Sequence, residues 1–95
     1  MKKSEYFIDP FLSILPKLDL HGETRDMVRY LVLDFLKVNL TMKNYKVQII
    51  HGIHDGILKD ELYSILKSLP YVERYYLYGM NVGVTIVELK QEKKF

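Results

Sequence analysis

Asp19 and His21 are the first residues of this chain whose types and spacing could do chemistry. Residues two apart on a strand point to one face, where a carboxylate can fix an imidazole's tautomer and raise its basicity, the pairing used in hydrolytic sites. The pair lies in LDLHG, residues 18–22, and the chain nearly repeats that stretch thirty residues later as QIIHG, residues 48–52. In both, an apolar strand runs into His-Gly and then into a helical pattern. That order places an imidazole at the carboxyl end of the strand, the edge at which open α/β sheets keep their sites. His51 is therefore the second candidate, as proton donor, proton acceptor or phosphate ligand. Gly52 and Gly56 bracket a loop that opens a helix, where exposed backbone N–H groups at a positive helix terminus form a phosphate seat. Arg25 and Lys59 fall within the first turn or so of their helices and could add direct charge.

Each of these residues also has a structural reading. An Asp-x-His at a strand end can cap a loop, a histidine after an apolar strand can be a satisfied hydrogen-bonder, and the glycines can serve only a turn that needs positive φ. His51 and His54 have H-x-x-H spacing, but no helix aligns the rings and no third ligand stands near, which argues against metal chelation. The eight tyrosines include Tyr75, Tyr76 and Tyr78 on one strand pattern, where packing explains them better than base stacking.

The elements that must position these residues follow from periodicity. A short strand over residues 17–21 leads through Gly22 to Thr24, a hydroxyl N-cap ahead of a helix over residues 25–40. Its expected core stripe is Met27, Val28, Leu31, Val32, Phe35, Leu36 and Val38. Tyr30 and Leu33 fall opposite that stripe. A near-continuous apolar strand over residues 46–51 suits a central or doubly covered position. A second helix over residues 57–69 carries Leu58, Leu62, Ile65, Leu66 and Leu69 on one side, and Pro70 stops it. Two further strand patterns, VERYYLY and GVTIVEL, are separated by residues 79–83 in a looped or hairpin-like pair. The order β-α-β-α-β-β makes the first strands parallel, with their carboxyl ends at one edge. If the first two strands are neighbours, about 4.8 Å apart, His21 and His51 could face one crevice.

Composition limits the function classes. Ninety-five residues make one domain, expected as an arm over residues 1–16, a folded unit over 17–90 and a solvated tail over 91–95. With 48% hydrophobic and 27% charged residues, neither disorder nor a membrane span is favoured, and no apolar run approaches the roughly 20 residues of a spanning helix. Glu5, Asp9 and Pro10 interrupt what would be the apolar core of a secretory signal, so the start reads as part of a mature, cytoplasmic protein. The absence of cysteine rules out thiolate zinc sites and a cysteine nucleophile. A net charge of +2 permits a nucleic-acid partner without demanding one.

These motifs together resemble the small MutS-related (Smr) domain family. LDLHG meets the family's Leu-Asp-x-His-Gly pattern in full, and the second motif is met by His51, Gly52, Gly56, Leu58 and Lys59. His54 stands where the family has a second glycine, and Ile53 where a lysine is common. Gly83, Val84 and Thr85 fit the family's final Gly-Val-Thr strand. The resemblance covers roughly residues 18–89 and implies an α/β two-layer sandwich, a four-stranded mixed sheet backed by two helices, similar to the C-terminal domain of bacterial translation initiation factor three. It further implies DNA or RNA binding and, in several members, nicking or endonuclease activity.

The resulting expectation is an Smr-like nucleic-acid-binding domain with weak or conditional DNA or RNA endonuclease activity. Asp19, His21 and His51 are the candidates for chemistry, and Gly22, Arg25, Gly52, His54, Gly56 and Lys59 those for phosphate contact. A divalent metal such as Mg or Mn is a candidate cofactor. Metallophosphoesterases also end their first strand in Asp-x-His, but they need further ligands on later strands that three histidines cannot supply. The alternative on the same scaffold is a non-catalytic nucleic-acid-binding module or a protein-interaction module, the latter through Tyr30, Leu33 and the apolar arm, with a second copy or another protein as partner.

Overall fold

The computed structural model describes residues 14–53 and 56–91. The arm over residues 1–13, His54 with Asp55, and residues 92–95 lie outside the described residues, and so does the expected packing of the arm over Tyr30 and Leu33. The elements are β1 (Lys17–Asp19), α1 (Arg25–Thr41), β2 (Lys46–Ile50), α2 (Ile57–Lys67), β3 (Val72–Tyr78) and β4 (Asn81–Leu89). They form one four-stranded sheet in the order β1-β2-β4-β3. β1 and β2 are parallel neighbours. β4 runs antiparallel between β2 and β3, so the chain crosses over β4's position through α2 before the hairpin returns to fill it. The sheet is mixed, as expected, and the carboxyl ends of β1 and β2 share one edge.

Strand parity decides which residues meet the helices. Val47 and Ile49 of β2 pair with Val87 and Thr85 of β4, and this row joins Leu20, Val28, Val32, Leu36, Leu62, Ile65, Leu66 and Leu89 in one buried core. Both helices therefore cover the same face. Each fully buried aliphatic side chain there contributes about 1.5–3 kcal/mol relative to exposure. On the opposite face β1 and β2 bring Asp19 beside Ile50 and Lys17 beside Gln48. Gln48 and Ile86 are buried on that side as well. The Gln48 amide donates to the Leu15 carbonyl at 3.3 Å, so the chain entering β1 passes over this face. Among the described residues no helix is long and apolar enough to cross a membrane.

Three expectations are corrected. Leu33 does not fall opposite the core stripe but packs against it, whereas Met27 and Val38 are exposed at 43% and 48%, because the buried stripe of α1 is narrow and centred on Val28, Val32 and Leu36. The hairpin turn is Gly79-Met80 alone, since Tyr78 already pairs with Asn81, so β4 begins two residues before Gly83, where the strand pattern is expected to start. The buried stripe of α1 continues to Asn39, a polar residue on the core side. Its amide donates to the Phe35 carbonyl at 2.8 Å and its Oδ1 accepts from Asn44 at 3.0 Å, while Asn44 N–H donates to the Asn39 carbonyl at 2.8 Å. The Asn44 N–H thereby satisfies the Asn39 carbonyl, which the helix end would otherwise leave open, while the buried Asn39 side chain finds both an acceptor and a donor.

Asn39→Ala should therefore cost about 1–3 kcal/mol, the penalty for buried polar groups left unpaired. Urea unfolding with Lys37→Ala, on the exposed side of the same helix, as the neutral control would show whether these bonds carry that load.

Candidate active site

The β1–α1 connection is built by its own residues. Asp19 Oδ1 accepts the His21 backbone N–H at 3.0 Å and faces His21 Nδ1 at 2.9 Å. One carboxylate oxygen thus closes an Asx-type turn and orients the ring. The Leu20 carbonyl accepts from Glu23 N–H at 3.0 Å, and Gly22, at φ +84°, occupies the third position of that turn, where a positive φ selects glycine. Leu20 plugs the core, which leaves its neighbours Asp19 and His21 on the outside, 51% and 76% exposed. Because the ionised carboxylate accepts the Nδ1 proton, the neutral ring carries its lone pair on Nε2. The His21 hydrogen bonds hold the Asp19 carboxyl below its ordinary range. This is an oriented base at an open strand end. Thr24 then caps α1, its Oγ1 accepting from Met27 N–H at 3.3 Å.

The second His-Gly reaches the same edge with the opposite orientation. His51 is 3% exposed and turns toward the helix layer, where its Nε2 lies 2.8 Å from Thr85 Oγ1 and Thr85 Oγ1 lies 2.9 Å from the Tyr63 hydroxyl of α2. Its Nδ1 lies 3.0 Å from the Gly52 carbonyl, which can only accept. Proton positions follow. Nδ1 carries the hydrogen, Nε2 of the neutral ring accepts from Thr85, and Thr85 accepts from Tyr63. Burial lowers the His51 pKa, with a smaller contribution of the same sign from Lys59, so the neutral form the relay requires is the favoured one. His51 and His21 therefore share a sheet edge but not a face, and no solvent-facing lone pair is left on His51.

The loop after His51 leans on β4. His51 and Gly52 N–H groups both donate to the Gly83 carbonyl, at 3.0 and 3.1 Å. A Cβ on Gly83 would stand 3.2 Å from Ile53 Cγ2 and 3.4 Å from the Gly52 backbone, so a side chain there would have to push the loop and the Ile53 side chain away by a few tenths of an ångström. Gly52, at φ +78°, brings the loop beside β1, its own Cβ position being 3.8 Å from His21 Cβ. Gly56 opens α2 in the left-handed region and no side chain caps that helix among the described residues. Both helix N-termini thus face the edge that carries Asp19 and His21, a favourable place for an anion.

The expected cations are partly committed elsewhere. Arg25 donates through Nε and Nη2 to Glu61 Oε1 at 3.3 and 3.0 Å. Lys59 Nζ lies 5.5 Å from the centroid of the Tyr63 ring, a cation–π distance. No three His, Asp or Glu side chains converge among the described residues. Sequence reading had not singled out Tyr63, Thr85 as a relay member, or Glu61. Thr85 carried a signal, since it shares strand parity with Val87 and Leu89 and so had to be a hydroxyl facing the core. Glu61 carried none.

The buried histidine makes stability pH-dependent. With the folded pKa below 6.5, the unfolded chain takes up its proton first, so the contribution is complete above about 6.5 and is lost as pH falls through the folded value. Urea midpoints between pH 8 and 5 should fall with acid in that window, and His51→Gln should flatten the fall while lowering stability at pH 8. Gly83→Ala should cost about 1–3 kcal/mol through overpacking, measurable in the same titration.

Comparison with known proteins completes the description. The family model described as the Smr domain matches residues 18–90. The chain is 37% identical over 82 residues to the Endonuclease MutS2 of Lachnoclostridium phytofermentans, a match covering 83% of this chain and 10% of that protein. It is 36% identical over 81 residues to the Endonuclease MutS2 of Clostridium kluyveri, covering 82% and 10%. The chain thus spans about a tenth of the length of these curated relatives. Among solved structures, the Smr domain of Thermus thermophilus MutS2 superposes with a TM-score of 0.79 at 22% identity, covering 81% of this chain and 100% of that one. YdaL, a stand-alone small MutS-related protein from Escherichia coli, does so with a TM-score of 0.73 at 23% identity, covering 79% and 64%; at these identities the likeness is one of fold. A family match over residues 18–90, taking in both His-Gly turns and the strand they lean on, makes this chain a member of the Smr domain family.

Proposed function

We propose that this chain binds DNA or RNA at the edge formed by the two His-Gly turns and hydrolyses a phosphodiester there, with Asp19 and His21 as the reacting pair. The observation that carries the proposal is the exposed Asp19–His21 contact at 2.9 Å, an oriented imidazole with its free nitrogen available to a substrate. In the proposed step His21 Nε2 accepts a proton from an attacking water. The new P–O bond forms as the bond to the leaving oxygen breaks, and that oxygen takes its proton from solvent. The N-terminus of α2 and Lys59 offset the charge gathering on the non-bridging oxygens. Asp19 holds the ring and offsets the imidazolium. In this reading His51 is a positioning residue that keeps the loop over Gly83, and Gly22, Gly52 and Gly56 allow the backbone to approach a phosphate. His54, outside the described residues, has no assigned part.

The namesakes of the matched family support nucleic acid as the substrate class, since the curated relatives are named as endonucleases. A binding module without turnover is the second reading. It is favoured by the burial of His51 and by the engagement of Arg25 with Glu61, which together remove two groups that an endonuclease site could use.

The test is a nicking assay on supercoiled plasmid and on structured RNA, with and without Mg or Mn. His21→Ala should reduce cleavage on the order of 10²–10⁴-fold, the range for a general base, with little change in binding. Lys59→Ala should weaken binding and reduce its salt slope by about one phosphate contact. Saturable, salt-sensitive binding with no product under any condition would leave the binding module standing and remove the nuclease.

A further inference from the structure

The face of the sheet turned away from the helices is closed to solvent at its centre. There β2 and β4 present Gln48 opposite Ile86 and Ile50 opposite Val84. The run Val84-Thr85-Ile86-Val87 is apolar toward both layers apart from one threonine, the pattern of a strand covered on both faces. Ile86 is 1% exposed and Val84 8%, with Gln48 buried beside them. Lateral neighbours screen the flanks of a side chain that stands on a sheet but not its outer end. Both helices lie on the other side, and among the described residues no element covers this one. The described chain comes onto the face at Leu15, whose carbonyl accepts from the Gln48 amide at 3.3 Å.

The closed area has margins. Lys17 and Asp19 of β1 and Arg74 of β3 are exposed on the same face, so the cover runs along β2 and β4 and stops short of the outer strands. Three stretches of chain are left to supply it. His54 and Asp55 are two residues between Ile53 and the start of α2, which packs on the other side. The residues after Gln91 read EKKF, three of the four charged. Residues 1–13 contain Tyr6, Phe7, Ile8, Phe11 and Leu12, and they join the described chain beside Gln48, on the face in question. Thirteen residues can reach about 43–47 Å, against about 14 Å across four strands. Tyr30 on α1, by contrast, is 65% exposed and keeps the solvent that a cover there would take from it.

We propose that the outer face of β2 and β4 is the docking surface of this chain's own arm, residues 1–13, which sets apolar side chains from Phe7, Ile8, Phe11 and Leu12 on Ile50, Val84 and Ile86. The face is closed within a single chain, which favours the arm over a second copy. The arm makes a third layer of the domain and takes the middle of the sheet out of reach of nucleic acid. Asp19 and His21 stay open at the β1 margin, so a strand can approach them only along the edge. The surface does not depend on that edge cleaving anything.

The test is nuclear Overhauser spectroscopy on the intact protein with labelled Ile, Leu and Val methyl groups, alongside sedimentation to fix its oligomeric state. Ring protons of Phe7 or Phe11 should show contacts to the methyl groups of Ile50, Val84 or Ile86 in a monomer. The double variant Phe7→Asp with Phe11→Asp should lose those contacts and raise the unfolding equilibrium constant at least about tenfold in a urea titration, since apolar side chains leave the face. Tyr30→Asp should keep the contacts and change that constant little. Should the double variant fail to fold, the contacts in the unaltered protein still decide. The proposal is overturned if the arm contacts Met27 or Tyr30 on α1 instead, if no contact between arm and face is seen, or if the double variant is as stable as the parent. Contacts found only between differently labelled copies in a mixed sample would overturn it too, and would assign the face to a second chain.

Discussion

The candidate edge hangs on one buried hydrogen bond, from Thr85 Oγ1 to His51 Nε2 at 2.8 Å. It joins the middle of β4 to the end of β2 and is the central link of a chain whose direction is set at one end. The Gly52 carbonyl can only accept, so His51 must donate through Nδ1, Thr85 must donate to Nε2, and Tyr63 must donate to Thr85. Each bond polarises the next in a low-dielectric setting, and a break at any point leaves a buried group unpaired. Through this chain α2, the sheet and the loop after β2 are set in one register. The loop's position on Gly83 then follows, and with it the place of Gly52 beside His21.

Two nearly identical motifs end in different environments because their apolar residues are out of phase by one. In LDLHG the inward residues are Leu18 and Leu20, so Asp19 and His21 face out. In the second stretch the inward residues are Val47 and Ile49, so His51 faces in. The first phase was legible, since Asp19 interrupts the apolar run and cannot lie in the core without a partner. The second is marked only by Lys46 and Gln48, which alternate with Val47 and Ile49 and put His51 on the inward phase, a weaker signal because Gln48 and Ile50 continue the strand on a face that is itself closed. The expectation of one shared crevice follows from edge position alone. A shared edge does not guarantee a shared face.

Other features divide along the same line. The element order and the Thr24 cap are readable because each rests on residues within a turn of one another, whereas α2 ends at Lys67 with Ser68 as its cap, two residues short of the end expected from Pro70. Leu33 and Val38 were misjudged because helical spacing fixes which residues share a stripe but not how wide a stripe the neighbouring elements will cover. The pairing of Arg25 with Glu61 is set by how α1 packs against α2, and nothing local to either position announces it. Gly83 is readable as the start of the last strand but not as a residue two positions inside it. Its place within β4 depends on the Tyr78–Asn81 pairing and on a loop from another part of the chain that needs the space a side chain would fill.

Tyr63 ties the buried and the exposed halves of the edge together. Its hydroxyl starts the relay into Thr85 and His51, while its ring carries the Lys59 ammonium on one face and meets the Tyr75 ring edge-on at a centroid distance of 4.9 Å on the sheet side. The cation nearest the α2 N-terminus is therefore held by the same side chain that fixes the His51 tautomer. A phosphate drawn to Lys59 would pull on a group whose position is set by the core, not on a free surface lysine. The converse also holds: the Lys59 charge disfavours protonation of His51 and so supports the proton order the relay needs. Burial does most to keep His51 neutral, and Lys59, resting on Tyr63, adds to it. The most exposed part of the edge, His21 with Asp19, thus lies beside a Gly52 whose N–H, with that of His51, is tied to Gly83 of β4.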